Sequence, residues 1–356
     1  MTAPQLDWLQ NGTALSSPDS SPPILSVVIV SYKVPDLLRK CLATVQTEIE
    51  TLPANGLGFG EILVVDNNSA DASCEIILEH FPSVRLCRSS LNLGFGPANN
   101  AALAQARGRY LLLLNSDAFL APGILSTLLA RMQDFPRIGI GGVQQVGADG
   151  LRQPSARQFH SIWGDAMVRT GLAEAHPNSI LWGKLFGGID RKWAQVTGPT
   201  DVDWLPGAFL LISRTCLETI GGFDPRFFFY LEEVDLCRRA RNAGFLVRFW
   251  PDLSVVHLGG QSTQSISQSD SSRASSQVVL WRMRSTLLYY RKWHGAVVWT
   301  AAALELCLYS LRWLRNRWSS LPGRRLQVAQ TETLIRLMLQ AWKDTHGGRV
   351  SPHQPW

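Results

Sequence analysis

The residues best placed to do chemistry in this chain are carboxylates that follow apolar runs. In Leu111–Asp117 (LLLLNSD), four consecutive leucines read as a strand buried on both faces, which delivers Asn115, Ser116 and Asp117 at its end. In an open α/β sheet, ligands collect at the carboxyl ends of strands. A lone carboxylate there suits a hard divalent cation held against a diphosphate. Glu61–Asp66 (EILVVD) repeats the design and is followed by Asn67, Asn68 and Ser69. The plain alternatives are a turn at Asn115–Asp117 and a carboxylate at a helix start for Asp66.

Three further groups share this placement. Glu232, Glu233 and Asp235 open a helical stretch, His257 ends a short apolar run, and Asn92–Asn100 (NLGFGPANN) is a glycine-rich loop entering a helix. Taken alone, the acidic run is a solvated helix face and His257 a structural histidine. Arg238, Arg239 and Arg241 suit a surface or supporting network better than catalysis.

The elements that must hold these residues follow from periodicity. Strands are expected at Leu25–Ser31, Glu61–Asp66, Val84–Arg88 and Tyr110–Leu114. Helices are expected from Asp36 to about Ile49, Ala72–His80, Pro97–Ala106 and Pro122–Phe135. This alternation implies an α/β, doubly wound, mostly parallel sheet with right-handed crossovers. After Gly139 the rhythm breaks, and residues 147–200 read as a long excursion over a site. A strand at Asp203–Ser213, a helix at Glu232–Ala243 and strands at Leu246–Trp250 and Val255–His257 complete the pattern, with a C-terminal helical extension beyond them.

The bulk composition sets bounds. With 356 residues and 46% apolar content, the chain can form one large core plus an appendage. The net charge of +6 is uneven: Arg273–Arg349 carries thirteen Lys/Arg against three acids, leaving about −4 for the rest. Six scattered cysteines without a CxxC pair argue against a zinc site or a disulfide framework and fit a reducing compartment. No basic segment followed by an apolar run opens the chain, so no signal peptide is expected. The expected organisation is a disordered leader (1–23), one large α/β domain (24–262, in two halves, 24–140 and 141–262), a mobile linker (263–276) and a basic, aromatic helical region (277–356).

Together the motifs resemble those of the inverting GT-A glycosyltransferases of family 2, in particular the rhamnosyltransferase-like branch. The likeness runs over about residues 25–262 plus a helix at 281–295. It rests on SVVIVSY (Ser26–Tyr32), VVDNNS (Val64–Ser69), Asn92–Asn100, LNSD (Leu114–Asp117), WLPGAF (Trp204–Phe209), GGFDPRFFFYLEEVDL (Gly221–Leu236) and VHLGGQS (Val256–Ser262). Each segment is weak alone, but their order and spacing are specific. The resemblance implies that Asp66 contacts the nucleotide base, walled by Val30, Ser31 and Tyr32. It implies donor-binding roles for Asn68, Asn92, Gly94, Asn100, Asn115, Ser116 and Gly207. Asp117 matches the last Asp of the metal-binding DXD element, with Asn115 in place of the first. Mg2+ or Mn2+ is the implied ion, with His257 as a second ligand or a phosphate contact. Glu233 matches the catalytic base, with Glu232 and Asp235 as neighbours. Lys33 replaces the family's usual Asn, and Asn100-Ala101-Ala102 replaces Asn-x-Gly.

The implied reaction moves a sugar, such as rhamnose, from a nucleoside-diphosphate donor to a glycan or polyprenyl-linked acceptor. Gly295–Leu314 is long enough to span a bilayer, but Glu305 and Arg312 favour a helix lying in the interface, with packing on the catalytic domain or at a homodimer contact as the alternative. Basic flanks suit anionic lipid, so the expected location is cytoplasmic, at the inner face of the membrane, with no nucleic-acid partner. A nucleotidyltransferase is disfavoured because SYKVPDLL, without glycine, follows the first strand. A non-catalytic nucleotide- or glycan-binding protein would lack Asp117 or Glu233. A dehydrogenase would need GxGxxG after the first strand.

Overall fold

The computed structural model describes residues 5–11, 22–165, 196–259, 271–318 and 324–352. The chain divides into two units. The first comprises Met1–Phe223 and Glu233–Ser262, the second Asp224–Glu232 and Thr263–Trp356.

The first unit runs β1 (Leu6–Asn11), β2 (Leu25–Ser31), α1 (Pro35–Thr51), β3 (Gly60–Asp66), α2 (Ser73–His80), β4 (Arg85–Ser89), α3 (Phe95–Leu103), β5 (Tyr110–Asn115), β6 (Ala118–Leu120), α4 (Ile124–Asp134), β7 (Ile138–Val146), β8 (Thr200–Asp201), β9 (Phe209–Ser213), α5 (Arg214–Ile220), α6 (Glu232–Asn242) and β10 (Leu246–His257). One sheet is ordered β1-β4-β3-β2-β5-β9-β7-β10-β6, with β8 beside β10. Strands β4, β3, β2 and β5 are parallel. Strand β9 lies antiparallel between β5 and β7, and β7 runs parallel to β10.

The doubly buried strands form because alternate side chains enter opposite cores. Leu112 and Leu114 meet α1 and α4 residues such as Leu42 and Leu128 in the main core, and Leu111 and Leu113 are equally enclosed on the other face. Each such side chain contributes about 1.5–3 kcal/mol of burial, enough to hold the polar residues that follow at the strand end.

Four expectations are corrected. The leader is not wholly disordered: Leu6–Asn11 forms an edge strand antiparallel to β4, where Arg85 also lies over the Trp8 ring at 5.3 Å. The expected break after Gly139 is instead β7, a strand of nine residues. Its glycines hide it from pattern reading, and they are needed: a Cβ at Gly141 would come within 2.5 Å of the Trp250 ring, and one at Gly139 within 2.7 Å of Cys216 Sγ. The strand expected at Asp203–Ser213 begins only at Phe209. The two short strands expected at 246–257 are a single β10 with a register shift between Trp250 and Ser254, around Pro251.

The second unit holds α7 (Ser271–His294), α8 (Val297–Arg317) and α9 (Arg324–Asp344) together with residues 224–232. Residues 224–232, within the span 24–262 expected as one domain, thus group with these helices. Ser285 Oγ donates to the Phe229 carbonyl at 2.8 Å, Phe228 and Phe229 pack on Trp281, and Lys292 pairs with Asp224 at 2.8 Å. Burial pushes the Asp224 carboxyl upward, but Arg226 and Lys292 outweigh it and hold the group well below the usual range. Helix α7 begins at Ser271, inside the expected linker 263–276. The rest of that linker up to 270, residues 12–21 of the leader and 166–195 of the excursion lie outside the described residues.

Candidate active site

The carboxyl ends of β2, β3 and β5 lie side by side, since Ser31 is paired with Asp66 and Val30 with Asn115. Asp66 is 1% exposed. Its Oδ2 accepts from Ser69 N at 3.3 Å, while Oδ1 has no partner among the described residues, and neither has Ser31 Oγ. Burial raises the Asp66 carboxyl, with Ser69 partly opposing. A buried carboxylate oxygen without a donor is costly unless a ligand supplies one.

Ser69 also links the two loops, accepting from Lys33 N at 3.1 Å. Tyr32 follows Ser31, half-buried, and Lys33 Nζ lies over its ring at 5.3 Å. Asn68 is exposed, in the left-handed region at φ 64°.

Asn67, which sequence reasoning passed over in favour of Asn68, does the positioning here. Its Nδ2 donates to Asn92 Oδ1 at 3.0 Å and to the Gly94 carbonyl at 3.1 Å, and its Oδ1 accepts from Leu93 N at 2.8 Å. Asn92 Oδ1 also accepts from Gly94 N at 2.9 Å. Gly94, at φ 82°, turns the loop into α3, a conformation that disfavours any side chain. Asn100 is not turned to this loop: its amide is engaged by Phe223, accepting from the backbone N and donating to the carbonyl, both at 2.8 Å. In the free protein this amide therefore does a scaffolding job.

Asp117 lies between β5 and β6 and is 5% exposed, with Ser116 buried beside it. The antiparallel pairing of β6 with β10 sets His257 opposite Ala118. His257 Nε2 consequently stands 3.4 Å from Asp117 Oδ1 and 3.3 Å from Asn115 Nδ2. Its Nδ1 meets Gln153 Oε1 at 3.1 Å. No sequence signal marks Gln153, which sits in the aperiodic stretch. Beneath them Cys41 Sγ donates to the Asn115 carbonyl at 3.6 Å, and burial, then Asp117, keeps this thiol protonated.

Two ligands at about 2.1 Å from one octahedral ion, at right angles, stand about 3.0 Å apart. The Asp117–His257 separation of 3.4 Å is a little wider than this and leaves the pair within a small side-chain adjustment of sharing one divalent cation. Among the described residues no group of three or more His, Cys, Asp or Glu side chains could hold one. A cation held by this pair needs oxygens from a ligand.

Helix α6 begins at Glu232, directly after two residues with positive φ, Tyr230 (70°) and Leu231 (68°). Glu232 is buried and Glu233 half-buried. Gly207 faces Glu233: a Cβ there would be 3.7 Å from Glu233 Cβ and 3.3 Å from the Phe95 ring at the start of α3. Asp235, expected as a neighbour of the base, carries an ion pair within its own helix. It is fully enclosed and accepts from Arg239 Nε at 2.9 Å. Arg239 in turn donates to the carbonyls of Ile220, Gly221 and Gly222.

The fold is that of the GT-A glycosyltransferases. The model of the family described as "Glycosyl transferase family 2" matches residues 26–197. An N-acetylglucosaminyl-diphospho-decaprenol L-rhamnosyltransferase of Mycobacterium tuberculosis is 31% identical over 251 residues, covering 67% of this chain and 78% of that protein. The rhamnosyltransferase WbbL of Escherichia coli is 23% identical over 274 residues, covering 74% and 91%. Among solved structures, GalNAc-T7 with UDP, GalNAc and Mn2+ superposes with a TM-score of 0.52 at 15% identity, over 93% of this chain and 59% of that one. The chain belongs to glycosyl transferase family 2, and it is a rhamnosyltransferase-like enzyme of that family.

Proposed function

We propose that this enzyme transfers L-rhamnose, or another deoxyhexose, from a nucleoside-diphosphate donor to a hydroxyl of a polyprenyl-diphosphate-linked saccharide, with inversion and with Mg2+ or Mn2+. The observation that carries the reading is the 3.4 Å approach of His257 Nε2 to Asp117 Oδ1 at the strand ends, beside a buried Asp66 with a free oxygen. The relatives' named activities supply the sugar and the class of acceptor, and GalNAc-T7 is itself a Mn2+ complex.

In this reading Asp66 Oδ1 accepts from a ring N–H of the base, and Val30, Ser31 and Tyr32 wall it. Asn67 holds the loop 92–94 against the donor. Asp117 and His257 hold the cation, which when bound supplies positive charge against the departing diphosphate. Glu233 takes the proton of the acceptor hydroxyl, with Glu232 beside it in sequence as the neighbouring carboxylate. The acceptor oxygen forms a bond to the anomeric carbon while the carbon–phosphate-oxygen bond breaks, its electron pair leaving with the nucleoside diphosphate.

A peripheral membrane contact through the second unit is part of the same proposal, because a polyprenyl acceptor resides in a bilayer. Helix α8 turns Trp299, Leu311 and Leu314 outward while Glu305 and Asn316 are buried, the inverse of an ordinary surface helix. Trp318 follows at 84% exposure, and Arg312, Arg315 and Arg317 flank the stripe. Such a surface suits the anionic inner face of the membrane.

Nucleotide release from a panel of dTDP-, UDP- and GDP-sugars, with Mn2+, with Mg2+ and with chelator, tests the reading. Metal-dependent release from dTDP-rhamnose, lost in Asp117→Ala, is the expected result. Release that persists in chelator or in Asp117→Ala contradicts it.

A further inference from the structure

We propose that Gln153 is the positioning residue that fixes the tautomer of His257, leaving the Nε2 lone pair directed to the cation. The inference rests on the cation reading above and extends it to a residue with no motif of its own.

The assignment follows from what each atom can do. Gln153 Nε2 stands 2.8 Å from the backbone oxygen of His257, and a carbonyl oxygen only accepts. The amide nitrogen of Gln153 must therefore face that oxygen, which turns Oε1 to the ring, 3.1 Å from Nδ1. An amide oxygen also only accepts, so the proton of the neutral imidazole sits on Nδ1. Nε2 is left with its single lone pair, which accepts from Asn115 Nδ2 at 3.3 Å in the free protein and gives up that contact when it turns to a cation shared with Asp117 Oδ1. The opposite tautomer would set the Oε1 and Nδ1 lone pairs against each other at 3.1 Å and an Nε2–H against the Asn115 amide donor, whereas the assigned one opposes only Nε2 and Asp117 Oδ1 at 3.4 Å, which a cation between them relieves. One side chain thus clasps both the backbone and the ring of His257.

Gln153 is itself held for the task. Its backbone N donates to the Gln145 carbonyl at 2.8 Å, and its own carbonyl accepts from Gln144 Nε2 at 2.7 Å and Ser155 Oγ at 2.9 Å. Gln144 and Ser155 are buried. The carbonyl, the amide and the ring therefore form one rigid chain from β7 to the cation position. Histidines that bind metals through one nitrogen generally have the other fixed in this way, and losing the partner costs about 10–100-fold in affinity or activity.

The test uses the full chain and two readouts. Long-range 1H–15N correlation spectra at mildly alkaline pH report the tautomer of His257, assigned through His257→Ala. The free Mn2+ signal in electron paramagnetic resonance, with dTDP present, reports affinity. In wild type a single Nδ1–H tautomer is expected. In Gln153→Leu a mixed or Nε2–H population and a Kd for Mn2+ raised about 10–100-fold are expected. Gln153→Glu keeps an acceptor facing Nδ1 while giving up the donor to the His257 carbonyl, so it should restore the Nδ1–H form without the backbone contact, and it is read where the leucine variant fails to fold. A pure Nδ1–H ring in Gln153→Leu, an Nε2–H ring in wild type, or unchanged Mn2+ affinity in Gln153→Leu overturns the inference alone. Unchanged Mn2+ affinity in His257→Ala overturns the cation reading beneath it.

Discussion

Asn100 holds Phe223 by both of its backbone groups, at 2.8 Å each, across 123 residues of sequence. The contact ties α3, which starts at the glycine-rich loop, to the chain beyond α5. Phe223 is buried, so removing the amide strands two backbone groups away from water. Asn100→Ala should cost about 2–4 kcal/mol, at about 1–3 kcal/mol for each unsatisfied group with partial relaxation. Gly222 makes a sharper check, because a Cβ there would lie 2.4 Å from Asn100 Oδ1. Gly222→Ala should therefore cost less in the Asn100→Ala background than alone. Denaturant unfolding of the four proteins in this cycle measures the coupling, and simple additivity would count against the clamp.

Asp66 predicts a trade of stability for binding. Burial raises its folded-state pKa above the ordinary carboxylate value. Its ionisation therefore opposes folding: the penalty is absent below the unfolded pKa and grows as pH rises through the folded one. Asp66→Asn should raise the Tm of the free protein at neutral pH, and the gain should vanish as pH falls towards the ordinary carboxylate range, at about 4. The same variant should gain less Tm from added dTDP or UDP than wild type does. A variant less stable than wild type at pH 7, or one stabilised equally by nucleotide, would sink this account of the free oxygen.

The outward apolar stripe of α8 makes a separate prediction. Full-length protein should sediment with vesicles containing anionic lipid, and Leu311→Glu combined with Leu314→Glu should abolish this without lowering nucleotide binding. Sedimentation that survives the double variant removes α8 from the contact. Absent sedimentation together with a dimer in solution that the double variant dissociates would assign the stripe to a second copy of the chain.

Strand β7 should tolerate no added bulk at its glycines. Gly141→Ala presses a methyl group into the Trp250 ring and against Met132. The expected loss is about 1–3 kcal/mol, read from the denaturation midpoint. A neutral outcome would mean that the Trp250 ring can move aside.

These positions show where the sequence was readable and where it was not. LLLLN and EILVVD could be read because a strand buried on both faces leaves a simple apolar run with its polar residues at the end. IGIGGVQQV could not, because glycines chosen for close neighbours on α5, β10 and the 205 region erase the periodicity. Asp117 was legible from its own strand. Its approach to His257 was not, since it depends on β6 pairing with the far end of β10. Asp235 and Asn100 have the residue types expected of reacting or ligand-binding groups, yet their partners are Arg239 and Phe223. Side-chain commitments of that kind are set by tertiary neighbours and leave no periodic trace. The motif likeness carried the family assignment, while Asn67 and Gln153 became visible only as hydrogen-bond partners.

The most direct test of the central proposal is transfer onto a polyprenyl-diphosphate N-acetylglucosamine acceptor at saturating donor and Mn2+. Wild type, Asp117→Ala and Glu233→Gln are compared, with nucleotide affinity measured alongside. Glu233→Gln should lose about 10²–10⁴-fold in kcat with nucleotide affinity kept, as expected for removal of a general base. Asp117→Ala should lose transfer together with its response to Mn2+. Transfer at the wild-type rate in Glu233→Gln, or Mn2+ dependence unchanged in Asp117→Ala, would contradict the roles proposed for these two carboxylates.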